Sequence, residues 1–177
     1  MLTSPVLQRC LNTEQKGMAA VQRWLAARDW VAVSTATGSG LSPELQRTAG
    51  DLIANTPQGQ CRCLEVKVEE RATGNLFLET FSNRQRLTPG WLQYAQADAL
   101  LYYFLDSEML YWCALSRLKQ WAFAPHAHYA AGSRLHDFPL VLQRKTTQKN
   151  DTWGHLVPVD VLTREAGLSA YPCPAHE

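Results

Sequence analysis

The stretch from Cys61 to Val68 constrains the fold most strongly, because its polar and apolar residues alternate as they do along a β-strand. Side chains on a strand point in turn to its two faces, so Glu65 and Lys67 are predicted to share one face. The opposite face is predicted to carry the apolar residues Leu64, Val66 and Val68. A carboxylate and an ammonium group are therefore expected side by side on a strand whose other face suits a core.

A second short strand is predicted just upstream, over Asp51–Ala54, and turn-forming residues at Asn55–Gly59 join the two strands. The proline and glycine in that segment favour a bend between antiparallel strands. A turn centred near Gln58 places Asp51 opposite Glu65. Two carboxylates and one ammonium group then share a small patch of sheet, which is costly unless a divalent cation lies among them.

The composition is that of a single globular domain. The chain has 177 residues, 46% of them hydrophobic and 19% charged, which is enough to bury a proper core. We expect one domain over 1–177, with its core at 12–114 and a C-terminal extension at 115–177. The net charge of +1 excludes a bulk polycation, so any contact with nucleic acid requires a local basic patch.

The cysteines and the hydropathy pattern predict a cytoplasmic protein without membrane segments. The five cysteines are scattered and odd in number, which favours a reducing compartment over a disulfide framework. We expect no secretory leader, because the chain does not open on a basic and then apolar segment. No apolar run reaches the length that spans a bilayer.

The remaining pattern predicts an α/β fold with a central mixed β-sheet flanked by helices. A helix is expected to begin at Asn12, a favourable N-cap residue, and to continue to Asp29. The other predicted segments are strands over Trp30–Thr37, Leu76–Phe81, Ala99–Leu105 and Met109–Ala114, short helices over Trp91–Ala97 and Ser116–Trp121, and, in the tail, strands over Phe138–Gln143 and Gly154–Val157 before a helix from Pro158 to Gly167.

Two further acidic residues are candidates for the same patch. Glu14 lies in the first turn of the predicted first helix, where it either interacts with the helix dipole or reaches over the sheet toward Asp51 and Glu65. Glu79 lies between Phe77 and Phe81 on one face of a strand. Either that face borders solvent, or Glu79 has a cation or metal ion as its partner.

The predicted patch has the chemistry of a site for a hard divalent cation, Mg²⁺ or Mn²⁺, because such cations prefer oxygen ligands. Asp51, Glu65 and the backbone carbonyl of Val66 would form an open half-shell, leaving positions for a phosphate oxygen and an attacking water. Lys67 would orient that water or stabilise the negative charge that develops. These are the requirements of phosphodiester hydrolysis.

Asp51 followed by Glu65-Val66-Lys67, within an α-β-β-β-α-β order of elements, resembles the PD-(D/E)XK nuclease superfamily, whose members are restriction-endonuclease-like or resolvase-like. The resemblance covers the core and not the tail. It implies that Asp51 and Glu65 bind the metal ion and that Lys67 assists the water. The proline that usually precedes the aspartate is absent here, and Gly50 stands in its place.

The same resemblance implies roles for residues on two helices. Many members add a glutamate from the first helix, which Glu14 would match. In some members a glutamine on the helix after the strands supports the site, and Gln93 and Gln96 are the candidates. The implied enzyme is a Mg²⁺-dependent deoxyribonuclease. A phage or mobile element is a setting that fits it.

DNA is the expected partner, through basic residues in two loops. These are Arg84 and Arg86 in one loop, and Arg144, Lys145 and Lys149 in another. Exposed loops carry such charges in any case, so each residue taken alone is equally well explained as solvated surface. Few base-reading signatures are present, so we expect selection of DNA by its structure rather than by a long sequence. A junction-resolving enzyme would also form a homodimer, since two strands must be cut.

Two other classes of function remain open at this stage. One is a catalytically inactive nuclease fold that serves as a nucleic-acid-binding or interaction module. The other is an unrelated α/β protein in which Glu65 and Lys67 form a surface ion pair on an edge strand. Binding of a metal ion separates the nuclease from both.

Overall fold

A six-stranded mixed β-sheet forms the centre of the protein, in a computed structural model that describes residues 5–35, 49–143 and 151–175. The described residues form one 3-10 helix, at Arg134–Asp137. They also form α-helices and β-strands. In chain order these are α1 (Pro5–Ala26), β1 (Val31–Ser34), β2 (Leu52–Asn55), β3 (Cys61–Glu69), β4 (Asn75–Asn83), β5 (Thr88–Pro89), α2 (Trp91–Tyr94), β6 (Ala99–Phe104), β7 (Met109–Ala114), α3 (Leu115–Phe123), β8 (Leu140–Leu142), β9 (Trp153–Pro158), α4 (Val159–Ala166) and β10 (Ser169–Pro172).

The strand order of the central sheet is β1-β2-β3-β6-β7-β10, and β3 pairs with β6 in parallel while the other neighbours are antiparallel. A second, antiparallel sheet within the described residues has the order β5-β4-β9-β8. The predicted fold class, a central mixed sheet flanked by helices, is confirmed. Because β3 is the third of six strands, Glu65 and Lys67 do not lie on an edge strand.

The predicted hairpin between β2 and β3 is present in the predicted register. Leu52 pairs with Leu64, so Asp51, one residue before β2, comes opposite Glu65. The turn is closed by a hydrogen bond from the Thr56 N–H to the carbonyl of Gln60. Alternation along β3 therefore sends both charged side chains of this strand to one face.

The two faces of the central sheet are covered by different elements. Leu64 and Val66 pack with α1 residues such as Val21 and Leu25 in one buried cluster. Gly17 brings α1 so close to β3 that an added Cβ would lie 2.3 Å from the Val68 side chain. A second buried cluster joins the other face to α2, α3, α4 and the second sheet. Glu65 and Lys67 lie on that second face, with the whole sheet between them and α1.

Three expectations about the elements are corrected. The first helix begins at Pro5 rather than at Asn12. Asn12 lies inside the helix, where its side chain accepts a hydrogen bond from Gln8 at 3.2 Å instead of capping the N-terminus. The helix that starts at Trp91 stops at Tyr94. The strand predicted at Leu76–Phe81 belongs to the second sheet, where it pairs with β9. No helix of the described residues is long and apolar enough to cross a membrane.

Candidate active site

The structure brings Asp51, Glu65 and Lys67 together at the point where β2 begins. The Lys67 ammonium nitrogen lies 2.5 Å from Oε1 of Glu65 and 3.9 Å from Oδ2 of Asp51. Glu65 is buried, with 5% of its surface exposed, whereas Asp51 and Lys67 each expose about a quarter of their side chains. The patch is therefore open to solvent on the side of Asp51 and Lys67, and closed behind Glu65.

The position of Asp51 is set by backbone hydrogen bonds on both sides. Its N–H donates to the Leu64 carbonyl at 2.8 Å, and its carbonyl accepts from the Thr35 N–H at 3.0 Å. The carboxylate accepts a hydrogen bond from the N–H of Val66 at 2.8 Å. The N–H and C=O of one strand residue point to the same edge of the strand, so the Val66 carbonyl also faces the edge where Asp51 lies.

Gly50 permits this approach of the chain to β3. Its φ is +72°, and an added Cβ would lie 2.6 Å from the Leu64 carbonyl oxygen. Its own carbonyl accepts a hydrogen bond from the buried Thr35 hydroxyl. A proline, whose φ is held near −65°, cannot adopt this conformation, which accounts for the glycine at this position.

Competing effects act on the pKa values of Glu65 and Lys67. Burial raises the pKa of Glu65, and Asp51 raises it further, while Lys67 lowers it. For Lys67, burial by itself would lower the pKa, but the carboxylates of Glu65 and Asp51 outweigh burial and the pKa is raised. The protein thus holds Lys67 as an ammonium ion, beside a carboxyl group that has lost most of its hydration.

A second amine, Lys119, supports the patch from α3. Its ammonium donates to the Gln93 carbonyl at 3.1 Å and to the Ala95 carbonyl, at the end of α2. Burial lowers the pKa of Lys119, and the charge of Glu65 acts against that shift. The sequence contained a signal for it: Lys119 stands on the apolar stripe of its helix, four residues after the buried Leu115.

Short helix α2 forms the wall of the patch. The Trp91 ring centre lies 5.6 Å from the Lys67 ammonium nitrogen, and Trp91 itself is buried. Gln93 donates its side-chain amide to the Thr80 carbonyl at 2.5 Å, which ties α2 to β4. The structure therefore places Gln93 as a support of the α2 wall, with its amide N–H directed to β4.

The structure does not bring Glu14 into the patch, and among the described residues Glu79 does not join Asp51 and Glu65 in a metal-binding group. Glu14 is exposed on α1, which covers the opposite face of the sheet. Glu79 lies on β4 in the second sheet, with its Cγ against Gly90. Over residues 5–35, 49–143 and 151–175, no three His, Cys, Asp or Glu side chains form a group that could hold a metal ion. Asp51 and Glu65 thus have no third side chain of these types beside them there.

The basic residues predicted to contact DNA are only partly described. Arg84 and Arg86 are exposed in the turn between β4 and β5. The Arg84 guanidinium lies over the Trp153 ring, 4.6 Å from its centre. Arg144, Lys145 and Lys149 lie outside the described residues.

A cavity in the described part of the chain lies away from the patch. It measures about 910 Å³ and is lined by α1 residues such as Arg9 and Lys16, by Glu70 just after β3, and by Asp106 in the turn between β6 and β7. Because α1 covers the other face of the sheet, this cavity and the patch do not share a wall.

The donor set of the patch fits a hard divalent cation. It consists of two carboxylates and a backbone carbonyl, all oxygen ligands, and one of the carboxylates is buried with its pKa raised. A bound cation would offset the repulsion between Asp51 and Glu65 that raises that pKa. Three protein oxygens leave room for water and for a substrate oxygen.

Comparisons with known proteins leave the family of the chain open. No protein-family model matches it, and no curated protein matches it. Among solved structures, it is similar to I-Ssp6803I, a bacterial homing endonuclease, with 18% sequence identity and a TM-score of 0.37. The match covers 60% of this chain and 68% of that one. A likeness of this extent assigns neither a residue nor an activity to this chain.

Proposed function

We propose that the protein is a metal-dependent nuclease of the PD-(D/E)XK type that hydrolyses phosphodiester bonds in DNA, with Mg²⁺ or Mn²⁺ as cofactor. One observation carries the proposal: Asp51 and Glu65 meet Lys67 on one face of an inner strand, where the two acids crowd a partly buried ammonium. Nothing in the packing of an ordinary core calls for two carboxylates at such a place, because their desolvation and repulsion are unfavourable.

The cation would be held by the carboxylates of Asp51 and Glu65 and by the carbonyl of Val66. When bound, it supplies Lewis-acid stabilisation of the phosphate and lowers the pKa of water. Asp51 is held in place by the N–H of Val66, so its carboxylate is pre-positioned before any ligand arrives. Glu65 is buried behind Asp51, and its burial raises its pKa. A bound cation would stabilise its ionised form.

Lys67 acts as a hydrogen-bond donor and a positive charge. Its pKa is raised by the two carboxylates against the effect of burial, which favours the protonated form over a neutral amine that could accept a proton. We therefore assign to Lys67 the orientation of the attacking water and the stabilisation of charge on the phosphate. Trp91 keeps bulk water from one side of this ammonium.

Two rival interpretations make different predictions. A surface ion pair on an edge strand does not match the position of β3 inside the sheet or the burial of Glu65. An inactive nucleic-acid-binding module keeps the same fold, but it has no use for the crowded acids.

We further propose that the enzyme selects DNA by its structure, and that it acts as a homodimer where two strands are cut.

Cleavage of supercoiled plasmid and of four-way-junction DNA, with Mg²⁺ or Mn²⁺, tests the proposal. The variants are Asp51→Asn, which keeps an oxygen that can accept from the Val66 N–H, and Lys67→Met, which keeps the length of the side chain. Asp160→Asn and Lys16→Met change exposed residues of the same types away from the patch and serve as controls. We expect loss of activity in the first two variants and unchanged activity in the controls. Cleavage that survives both patch variants would reject the assignment.

A further inference from the structure

The turn between β4 and β5 combines positive charge with an exposed apolar side chain. Arg84 and Arg86 are exposed, and Leu87, which follows them, exposes 72% of its surface. Among the large hydrophobic residues of the described part of the chain, none is more exposed than Leu87. We propose that this tip, Arg84 to Leu87, docks into a groove of duplex DNA and that Leu87 is inserted as a wedge between base pairs. This inference rests on the proposed action on DNA.

Leu87 has a backbone conformation that is unfavourable for leucine, and no packing of its side chain inside the protein offsets that cost. Its φ is +54°, in the left-handed region, at the place in a hairpin turn where glycine or asparagine is favoured. A leucine there costs free energy, which burial of its side chain ordinarily offsets. This side chain is not buried. A contact with a partner supplies the missing reason for the residue.

Each backbone N–H of the tip donates a hydrogen bond, and three of the four bonds go to residues outside the tip. The N–H groups of Arg84 and Gln85 donate to the carbonyl and the carboxylate of Asp151, at 2.8 and 2.7 Å. The Arg86 N–H donates to the Asn83 side chain at 2.9 Å, and the Leu87 N–H donates to the Arg84 carbonyl at 3.1 Å. Four consecutive backbone donors are thus satisfied. Docking of this turn therefore costs little conformational entropy.

The two exposed arginines give the tip a positive charge, which suits the phosphate backbone of DNA. The Arg84 guanidinium rests over the Trp153 ring, which fixes its direction. The Arg86 side chain makes no hydrogen bond or ion pair with another described residue. Some proteins part a base step and bend the duplex with an inserted apolar side chain, and they combine it with arginine contacts to the DNA.

The tip is also within reach of the patch along one strand of DNA. Trp91 is the fourth residue after Leu87, so the two Cα atoms lie at most about 14 Å apart. The Trp91 ring in turn lies beside Lys67. A duplex held at Leu87 would therefore lie near the proposed metal ligands.

Binding and distortion of DNA are measured without cleavage, using short duplexes that carry 2-aminopurine at successive positions, in EDTA. The decisive variant is Leu87→Gly, which suits a positive φ and is expected to leave the melting temperature unchanged or higher. Val31→Ala alters a similarly exposed apolar residue on β1 and serves as the control. We expect the full-length protein to raise 2-aminopurine fluorescence at one step. Leu87→Gly should abolish that rise and weaken binding about tenfold, and Val31→Ala should change neither.

The outcomes separate this inference from the proposed function. Leu87→Gly that binds and unstacks DNA like the unaltered protein overturns the wedge, even if the enzyme cleaves DNA. Unstacking that depends on Leu87, in a protein that never cleaves, supports the docking surface and overturns the nuclease. A protein that binds no duplex overturns the docking surface, whereas cleavage of junction DNA alone would leave the nuclease standing.

Discussion

The carboxylate of Asp51 accepts a hydrogen bond at 2.8 Å from the backbone N–H of Val66, the residue between Glu65 and Lys67. This hydrogen bond thus fixes Asp51 to the strand segment that carries Glu65 and Lys67. The patch is arranged by the register of two strands rather than by contacts among flexible side chains. Changes to the backbone around Asp51 should therefore affect the site as strongly as changes to its side chains.

Gly50→Ala tests this dependence on the backbone. Gly50 has φ +72°, and a Cβ there would lie 2.6 Å from the Leu64 carbonyl oxygen, so both conformation and space oppose alanine. We expect the free energy of unfolding to fall by about 2 kcal/mol or more, and cleavage to be lost because Asp51 is displaced. Urea denaturation and plasmid cleavage measure the two effects.

Gly59→Ala is the matched control, because Gly59 has φ +77° but nothing lies within 4 Å of an added Cβ. It carries the conformational cost alone, about 1 kcal/mol, and should leave cleavage unchanged. Equal losses of stability in the two variants would show that the close approach of Gly50 to β3 is unimportant.

The register of Asp51 against Glu65 could be predicted from the sequence because both determinants are local. Strand alternation gives the face of Glu65 and Lys67, and the turn before Cys61 determines which residues pair across the hairpin. The fold class follows from the same kind of pattern, summed over many segments.

What could not be predicted depends on packing between distant segments. The strand that begins near Leu76 has the pattern of a buried strand, yet it joins β9 in a second sheet, and no local feature distinguishes the two sheets. Glu14 has the spacing to face the core, but α1 covers the face opposite Glu65. Lys119 enters the site from a helix far along the chain. Each of these depends on which face of the sheet an element covers.

Lys119→Met should loosen the α2 wall. The ammonium of Lys119 donates to two backbone carbonyls, those of Gln93 and Ala95. In the variant these two partly buried carbonyls would have no donor. We expect this to lower the free energy of unfolding by about 1–3 kcal/mol. Hydrogen exchange at Trp91–Tyr94 should become faster, and cleavage should slow. Lys16→Met, at an exposed position on α1, should change none of these. Unchanged exchange in α2 would contradict the proposed support.

The stability of the protein should fall in mild acid because of His155. Its Nδ1 lies 2.9 Å from the Phe138 carbonyl and its Nε2 lies 3.0 Å from the Tyr129 hydroxyl, which suits a neutral ring with the proton on Nδ1. Burial lowers the pKa of His155 from its ordinary 6.5, the hydrogen bond to Phe138 opposes this, and His136 lowers it further.

The sign follows from proton binding. Between the lowered pKa of the folded protein and 6.5, the unfolded chain binds more protons, so unfolding becomes easier as the pH falls. Urea denaturation at about pH 7.5 and about pH 5.5 should show this loss. His155→Gln, which can donate to Phe138 and accept from Tyr129, should reduce the difference. His128→Gln, at an exposed position, should retain it. A difference that is the same in all three proteins would assign the effect to other groups.

Terbium luminescence can locate the cation independently of catalysis. Tb³⁺ is a hard cation that prefers oxygen ligands, and tryptophan transfers excitation to it only at short range. Trp91 lies beside Lys67, whereas Trp112 packs against Trp24 in the region of α1 on the other face of the sheet. We expect sensitised emission that Mg²⁺ suppresses, that Trp91→Phe removes and that Trp112→Phe leaves in place. Asp51→Asn should abolish binding itself. Emission that depends on Trp112 and not on Trp91 would place the ion away from Asp51 and Glu65.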